Sequence, residues 1–213
     1  MKIKVCGVTA PSEIELLGRA GVDGVGLWHG VPGGEADLSR SRFARFAALA
    51  REVGVEPVLV TFGTDVEVDV KYVQLHAYQL PKVVQALRRP GRHIVKVLHV
   101  RGRRCVEERL IGAYERAGVD TFLLDVTARN GRVGSTGETL PPDVAARVVE
   151  RLHRPFYLAG GITADSRETY AQLMRHPGFR GIDVSTGARD AEGRLSAWRI
   201  EAIDEAWRGV RVH

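Results

Sequence analysis

Cys6 closes the apolar run IKVC, and Asp125 closes the run TFLLD. A thiol and a carboxyl can take and give protons. Facing one substrate from opposite sides, they would make a general base and a general acid. Two glycine-bearing segments, LAGGIT over 158–163 and DVSTGA over 183–188, also follow apolar runs. Phosphate recognition needs backbone N–H groups at close approach, which glycine permits. Gly160, Gly161, Ile162, Ser185, Thr186 and Gly187 therefore form a candidate phosphate cradle. Each feature has a plainer reading. A single cysteine at a strand end also serves as a small core residue. An aspartate there also caps a helix or binds a loop amide, and an isolated Gly-Gly is also a turn. Two glycine loops in neighbouring units favour the cradle.

The elements that would position these groups repeat along the chain. Apolar, β-branched runs fall at Lys2–Cys6, Val22–Trp28, Glu56–Thr61, Tyr72–His76, Ile94–Val100, Asp120–Asp125, Pro155–Ala159 and Gly181–Ser185. Near-continuous apolar character is what strands buried on both faces require. Helical patterns lie between most of them, at Pro11–Ala20, Arg40–Val53, Leu80–Arg88, Cys105–Ala117, Pro142–Leu152 and Ser166–Arg175, with Trp198–Trp207 at the end. Eight strands alternating with helices predict an α/β fold, a single (β/α)8 TIM-barrel domain over residues 1–213. An open doubly wound sheet is the alternative, but it places its phosphate glycines after the first strand, and here they come late. Only Phe62–Lys71 separates the third and fourth strands, and VEVDV alternates, so the third unit is expected to be shortened to a loop.

In such a barrel the strand ends carry the chemistry, and strands one and six lie across the mouth from each other. That puts Cys6 opposite Asp125. Trp28, His29, Thr61, His76 and His99 occupy other strand ends. His76 is expected to border the mouth and His99 to be a satisfied rim residue. Cys105 is expected to start an outer helix and to be inert. Phe43, Phe46 and Trp207 on helices read as barrel packing, with a dimer face as the alternative.

The bulk numbers exclude several classes. A chain of 213 residues, 44% hydrophobic and 27% charged, is globular and one domain in size. A net charge of +5 favours an anionic partner, but the 31 basic residues are scattered among 26 acids. That pattern fits an anionic small molecule better than nucleic acid. No apolar run reaches the roughly 18 residues of a membrane span, and the N-terminus reads directly into a strand, so a cytoplasmic location is expected. Two cysteines make neither a disulfide framework nor a metal-ligand spacing.

At these residues the sequence resembles the phosphoribosylanthranilate isomerase family of tryptophan biosynthesis. KVCGVT resembles the family's opening K-[IV]-C-G-[IL]-T, and VQLH at 73–76 resembles V-Q-L-H-G. LLDVTARNGRVGSTGET resembles the strand-six aspartate followed by G-G-T-G. LAGGIT and GIDVSTGA resemble L-A-G-G-[IL] and G-[VI]-D-V-S-S-G-V. The resemblance implies an isomerase that performs an Amadori rearrangement of a phosphoribosylated amine to an aminodeoxyribulose phosphate, with neither a metal nor an organic cofactor needed. Asp125 would open the ribose ring as general acid, and Cys6 would remove the C2 proton as general base. The phosphate would sit on the cradle named above, with Gly134, Ser135, Thr136 and Gly137 closing over the ribose.

The departures concern the amine. The family carries S-P-R after strand two, and its arginine pairs with the anthranilate carboxylate; the matching position here is Ala36. Arg40 or Arg42 could substitute, although both fit better inside the following helix, and Trp28 and His29 could line a different aryl pocket. A paralogue acting on another phosphoribosylated amine therefore stands beside the isomerase reading. So does a barrel that binds a sugar phosphate without turning it over, against which the presence of both Cys6 and Asp125 argues.

Overall fold

A computed structural model of the chain describes residues 1–64, 66–127 and 138–209. The eight barrel strands are β1 (Lys2–Cys6), β2 (Gly24–Trp28), β3 (Glu56–Thr61), β4 (Tyr72–Leu75), β5 (His93–Arg101), β6 (Thr121–Val126), β7 (Phe156–Leu158) and β8 (Phe179–Val184). The helices are α1 (Pro11–Arg19), α2 (Arg40–Glu52), α3 (Pro81–Leu87), α4 (Ile111–Ala117), α5 (Pro142–Val149), α6 (Ala171–Met174) and α7 (Ala197–Arg208). The strands pair in parallel in the order β4-β3-β2-β1-β8-β7-β6-β5, and β5 closes the ring on β4 through Leu75↔Lys96. This is the expected (β/α)8 barrel. None of the described residues between β3 and β4 is helical, as the short third unit implied.

Alternation along each strand sorts the side chains. Ile3 and Val5 on β1, Leu98 and Val100 on β5 and Leu124 on β6 belong to the layer under the helices. Val95, Val97, Leu123 and Ala159 form a separate cluster inside the barrel, with Tyr157 against it. Lys4, Gln74 and Asp183 line the same interior, around a cavity of about 100 Å³. The barrel axis is therefore half polar, where branched aliphatic layers would be usual.

Helix boundaries depart from the sequence pattern where tertiary contacts override it. The region expected to be helical from Cys105 starts instead with a two-residue strand, Arg104–Cys105, antiparallel to the end of β5. A 3-10 turn, Glu108–Leu110, follows before α4 begins at Ile111. Cys105 is thus a buried hairpin residue rather than the start of an outer helix, and burial pushes its thiol up to about 12. Among the described residues, no helix is long and apolar enough to cross a membrane.

Phe43 and Phe46 pack into the main core from α2, as expected. Trp207 on α7 is 3% exposed, stacks on Tyr170, and donates its indole N–H to the carbonyl of Thr163 at 2.8 Å. The last helix therefore pins the loop that follows β7. Trp207→Ala is expected to destabilise the protein by about 3–5 kcal/mol. A urea titration showing a loss under 1 kcal/mol would remove that role.

Candidate active site

Cys6 lies at the end of β1, beside Gly26 of β2. A Cβ at Gly26 would stand 2.6 Å from the Cys6 sulfur and 3.1 Å from the Lys4 ammonium. Only glycine leaves room for both groups. The Trp28 indole, two residues on and on the same inner face, donates its N–H to the sulfur at 3.2 Å. Lys4 forms a 2.6 Å ion pair with Asp183, its register partner on β8. Burial pushes the Cys6 thiol above its ordinary value; the Lys4 charge and the indole N–H pull it back, and Asp183 pushes it up further.

Asp125 stands on β6, 9% exposed. One carboxyl oxygen accepts the Val126 N–H at 2.8 Å, and the other lies 3.5 Å from Nε2 of His76. Burial first, then repulsion from Asp183, pushes its carboxyl up to about 7; the Val126 N–H and Lys4 oppose this. His76 is held well below its ordinary value by burial and by the charges of His99, Lys4 and Lys96, so its imidazole is neutral. Its contact with Asp125 is therefore not an ion pair. Nδ1 of His76 meets the Gln74 amide at 2.9 Å.

The loops after β7 and β8 abut. A Cβ on Gly187 would stand 1.9 Å from the carbonyl oxygen of Ile162, so this approach also demands glycine. Gly160 adjoins Asp125: its Cβ position is 3.3 Å from the carboxyl. Ser185 opens the one-turn helix Thr186–Ala188, and its hydroxyl lies 3.9 Å from the Cβ position of Gly7. The residues expected to form a cradle, Gly160 to Ile162 and Ser185 to Gly187, thus gather on one side of the mouth, next to Asp125. Gly134, Ser135, Thr136 and Gly137 lie outside the described residues.

The aglycone side is different. Ala36 is buried, with its methyl 3.9 Å from the Cβ position of Gly7, and so walls the turn that follows Cys6. The nearby Arg189 guanidinium is committed to Glu13 at 3.0 Å and to the Gly7 carbonyl at 2.7 Å. Arg40 does not reach the mouth. It pairs with Glu67 of the β3–β4 connection in a solvent-exposed contact, because as the first residue of α2 it points away from the strands. Arg42 bonds the Thr9 carbonyl. His29 also turns outward, since it alternates with Trp28: Nδ1 meets the Leu38 carbonyl at 2.8 Å and the ring packs on Phe43. Of the residues expected at the amine, only Trp28 faces the interior.

Sequence reasoning missed Asp183, Gln74 and Glu107. Asp183 was legible in principle, because the alternation that turns Cys6 inward turns Lys4 inward too, and a buried lysine needs a partner. His99, expected to be a satisfied rim residue, is fully buried. Its Nδ1 and backbone N–H both meet Glu107, but its Nε2 has no partner among the described residues.

Comparison with known proteins identifies the family. The family model described as N-(5'phosphoribosyl)anthranilate (PRA) isomerase matches residues 50–203. The chain belongs to that family. It is 30% identical over 204 residues to N-(5'-phosphoribosyl)anthranilate isomerase 2 of Methanosarcina mazei, covering 91% of this chain and 88% of that protein. The enzyme of the same name from Erythrobacter litoralis is 32% identical over 98% of this chain and 99% of its own. The phosphoribosyl anthranilate isomerase structure from Thermus thermophilus superposes with a TM-score of 0.75 at 21% identity, over 99% of this chain and 100% of its own, and so supports the fold. This member of the PRA isomerase family is an isomerase on a barrel, as the motifs implied.

Gly26→Ala tests the crowding at the sulfur. A displacement near 1 Å at a reacting group costs about 10²-fold in rate, so kcat is expected to fall by that order while the barrel stays folded. Unchanged kcat would mean that the thiol position is not constrained by β2.

Proposed function

We propose that this chain converts N-(5'-phosphoribosyl)anthranilate, or a close aryl analogue, to the corresponding 1-amino-1-deoxyribulose 5-phosphate, with Asp125 as general acid and Cys6 as general base. The observation that carries this reading is a buried carboxyl with a value of about 7, on the strand opposite a thiol in the same barrel mouth. Asp125 gives its proton to the ribose ring oxygen as the C1–O bond breaks, and the nitrogen lone pair forms the Schiff base. The Cys6 thiolate then takes the C2 proton, and the electron pair of that bond flows back to nitrogen through an enolamine. Tautomerisation to the ketone completes an isomerisation in which no atom is added or lost. The phosphate rests on Gly160, Gly161, Ile162, Ser185, Thr186 and Gly187.

The two groups must share one proton: the thiol without it, the carboxyl with it. Because the thiol lies above 9.0 and the carboxyl near 7, the productive arrangement is a minority of the singly protonated state. The expected profile of kcat/KM against pH rises through about 7, where the first proton leaves, and falls above 9, where the second leaves. Cys6→Ser and Asp125→Asn are each expected to lower kcat by roughly 10³-fold or more, leaving affinity for a phosphate-bearing product within a few fold. Full activity in either variant would overturn the assignment.

Ala36 favours a second reading of the amine alone. An arginine–carboxylate pair is not replaced by a methyl without loss of affinity, and the described cations near Ala36 are already engaged. An aryl amine without the ortho carboxylate, stacked near Trp28, fits that wall. Comparing kcat/KM for phosphoribosylanthranilate with that for its decarboxy analogue decides between them. A preference of about 10²-fold for the anthranilate compound would remove the second reading.

A further inference from the structure

Gln74 and His76 have no part in the chemistry above, yet they form a line that ends on Asp125. Gln74 lies on β4 and His76 directly follows that strand, so the two share the inner face of the barrel. Both are buried, at 2% and 6% exposed. The Gln74 amide nitrogen stands 2.9 Å from Nδ1 of His76, and Nε2 of the same ring stands 3.5 Å from Oδ2 of Asp125. Phe62 stacks on the imidazole with ring centres 6.0 Å and planes 9° apart, and His99 meets it edge-on at 5.9 Å. The ring therefore has a fixed direction, and Asp125 lies along it. Nε2 has no hydrogen-bond partner among the described residues.

The contacts place the hydrogens. An amide nitrogen only donates, so Nδ1 accepts, and the one hydrogen of the neutral ring sits on Nε2. On Asp125, Oδ1 accepts the Val126 N–H, which leaves Oδ2 to carry the acid proton. Two hydrogens then face each other across the 3.5 Å gap, which is too long for an N–H···O hydrogen bond. His76 cannot draw off the acid proton, and the proton is free to turn toward the mouth. Once it has gone to the substrate, Oδ2 is an anion with an N–H aimed at it. Closing the gap to the roughly 2.7–2.9 Å of a charge-assisted bond takes a movement of less than about 1 Å.

We infer that His76, with its tautomer set by Gln74, is a positioning residue for the general acid: its Nε2–H leaves the acid proton to the substrate and then receives the carboxylate that remains. The inference rests on the reading of Asp125 as the acid. One proton moves, from Oδ2 to the ribose ring oxygen, and the imidazole keeps its own hydrogen throughout. The charged and titratable groups around Asp125 are Lys4 on β1, Asp183 on β8, His76 after β4 and the register partner His99 on β5, with Cys6 across the mouth. Those around His76 are Asp125, Lys4, and His99 and Lys96 on β5, with Glu107 paired to His99. A donor facing the carboxylate favours its ionised form, so removing that donor raises the Asp125 value. An acceptor for the O–H would favour the protonated form, and its removal would lower the value. The sign separates the two.

His76→Leu removes the donor, and the acid limb of kcat/KM is expected to move up by about one pH unit. His76→Gln returns an amide N–H near the same place and is expected to hold the limb close to its wild-type position. A limb that moves down in His76→Leu, or moves equally in both variants, overturns the inference. A purely structural role would lower the melting temperature and leave both the limb and the carboxyl value where they are. Nitrogen NMR of the wild-type protein reads the tautomer without a substitution: His76 is expected in the Nε2–H form, and an Nδ1–H form would sink the proposal even if neither variant folds. Carbon NMR titration of the Asp125 carboxyl tells this inference from the reading beneath it. A value that does not rise in His76→Leu overturns the contact, whereas a value that rises under an unmoved limb removes Asp125 as the acid.

Discussion

Lys4 and Asp183 meet at 2.6 Å inside the barrel, one position deeper than Cys6 along the strand alternation. Placing two charges there costs several kcal/mol of lost hydration per ion, and removing one partner alone would strand the other. The second oxygen of Asp183 lacks a partner among the described residues. The pair acts with opposite sign on its two neighbours. At Cys6 the Lys4 charge outweighs the Asp183 charge and favours the thiolate. At Asp125 the order reverses, and the carboxylate favours the protonated acid. One ion pair thus narrows the gap between a thiol and a carboxyl that burial drives up alike.

The surrounding fold serves that pair. The register Lys4↔Asp183 fixes it, and Gly26 keeps β2 from crowding it. The mouth above it divides by chemistry. On the β6–β8 side stand the carboxyl and two glycine loops in backbone contact. On the β1–β2 side stand the thiol, an indole and an alanine methyl. A charged sugar phosphate and an aromatic amine call for such a division.

Much of this was legible in the sequence, for local reasons. Continuous apolar runs such as FLL mark strands covered on both faces, and a polar residue closing such a run marks a mouth position. Cys6, Asp125, His76 and the two glycine loops all stand out this way. What failed depended on long-range placement. His29 read like Trp28 because both end β2, yet alternation sends one inward and the other against Phe43. Arg40 offered the right charge, but its helix aims it at Glu67. Glu107 lay within an apparent helical pattern from Cys105 to Ala117, and only the pairing of Arg104–Cys105 with β5 reveals the fold-back that delivers it to His99. A two-residue strand has no periodicity to read.

The enclosure of Cys6 has a consequence for the lifetime of the protein as well as for its turnover. Oxidation to sulfenic acid and beyond proceeds through the thiolate and requires access. With 5% of its surface exposed, an indole N–H on its sulfur and its value raised by burial, Cys6 is an anion only rarely and is seldom within reach of peroxide. The environment that keeps this thiol protonated also shields it, so an oxidising cell would modify Cys6 far more slowly than it would an exposed, acidic thiol.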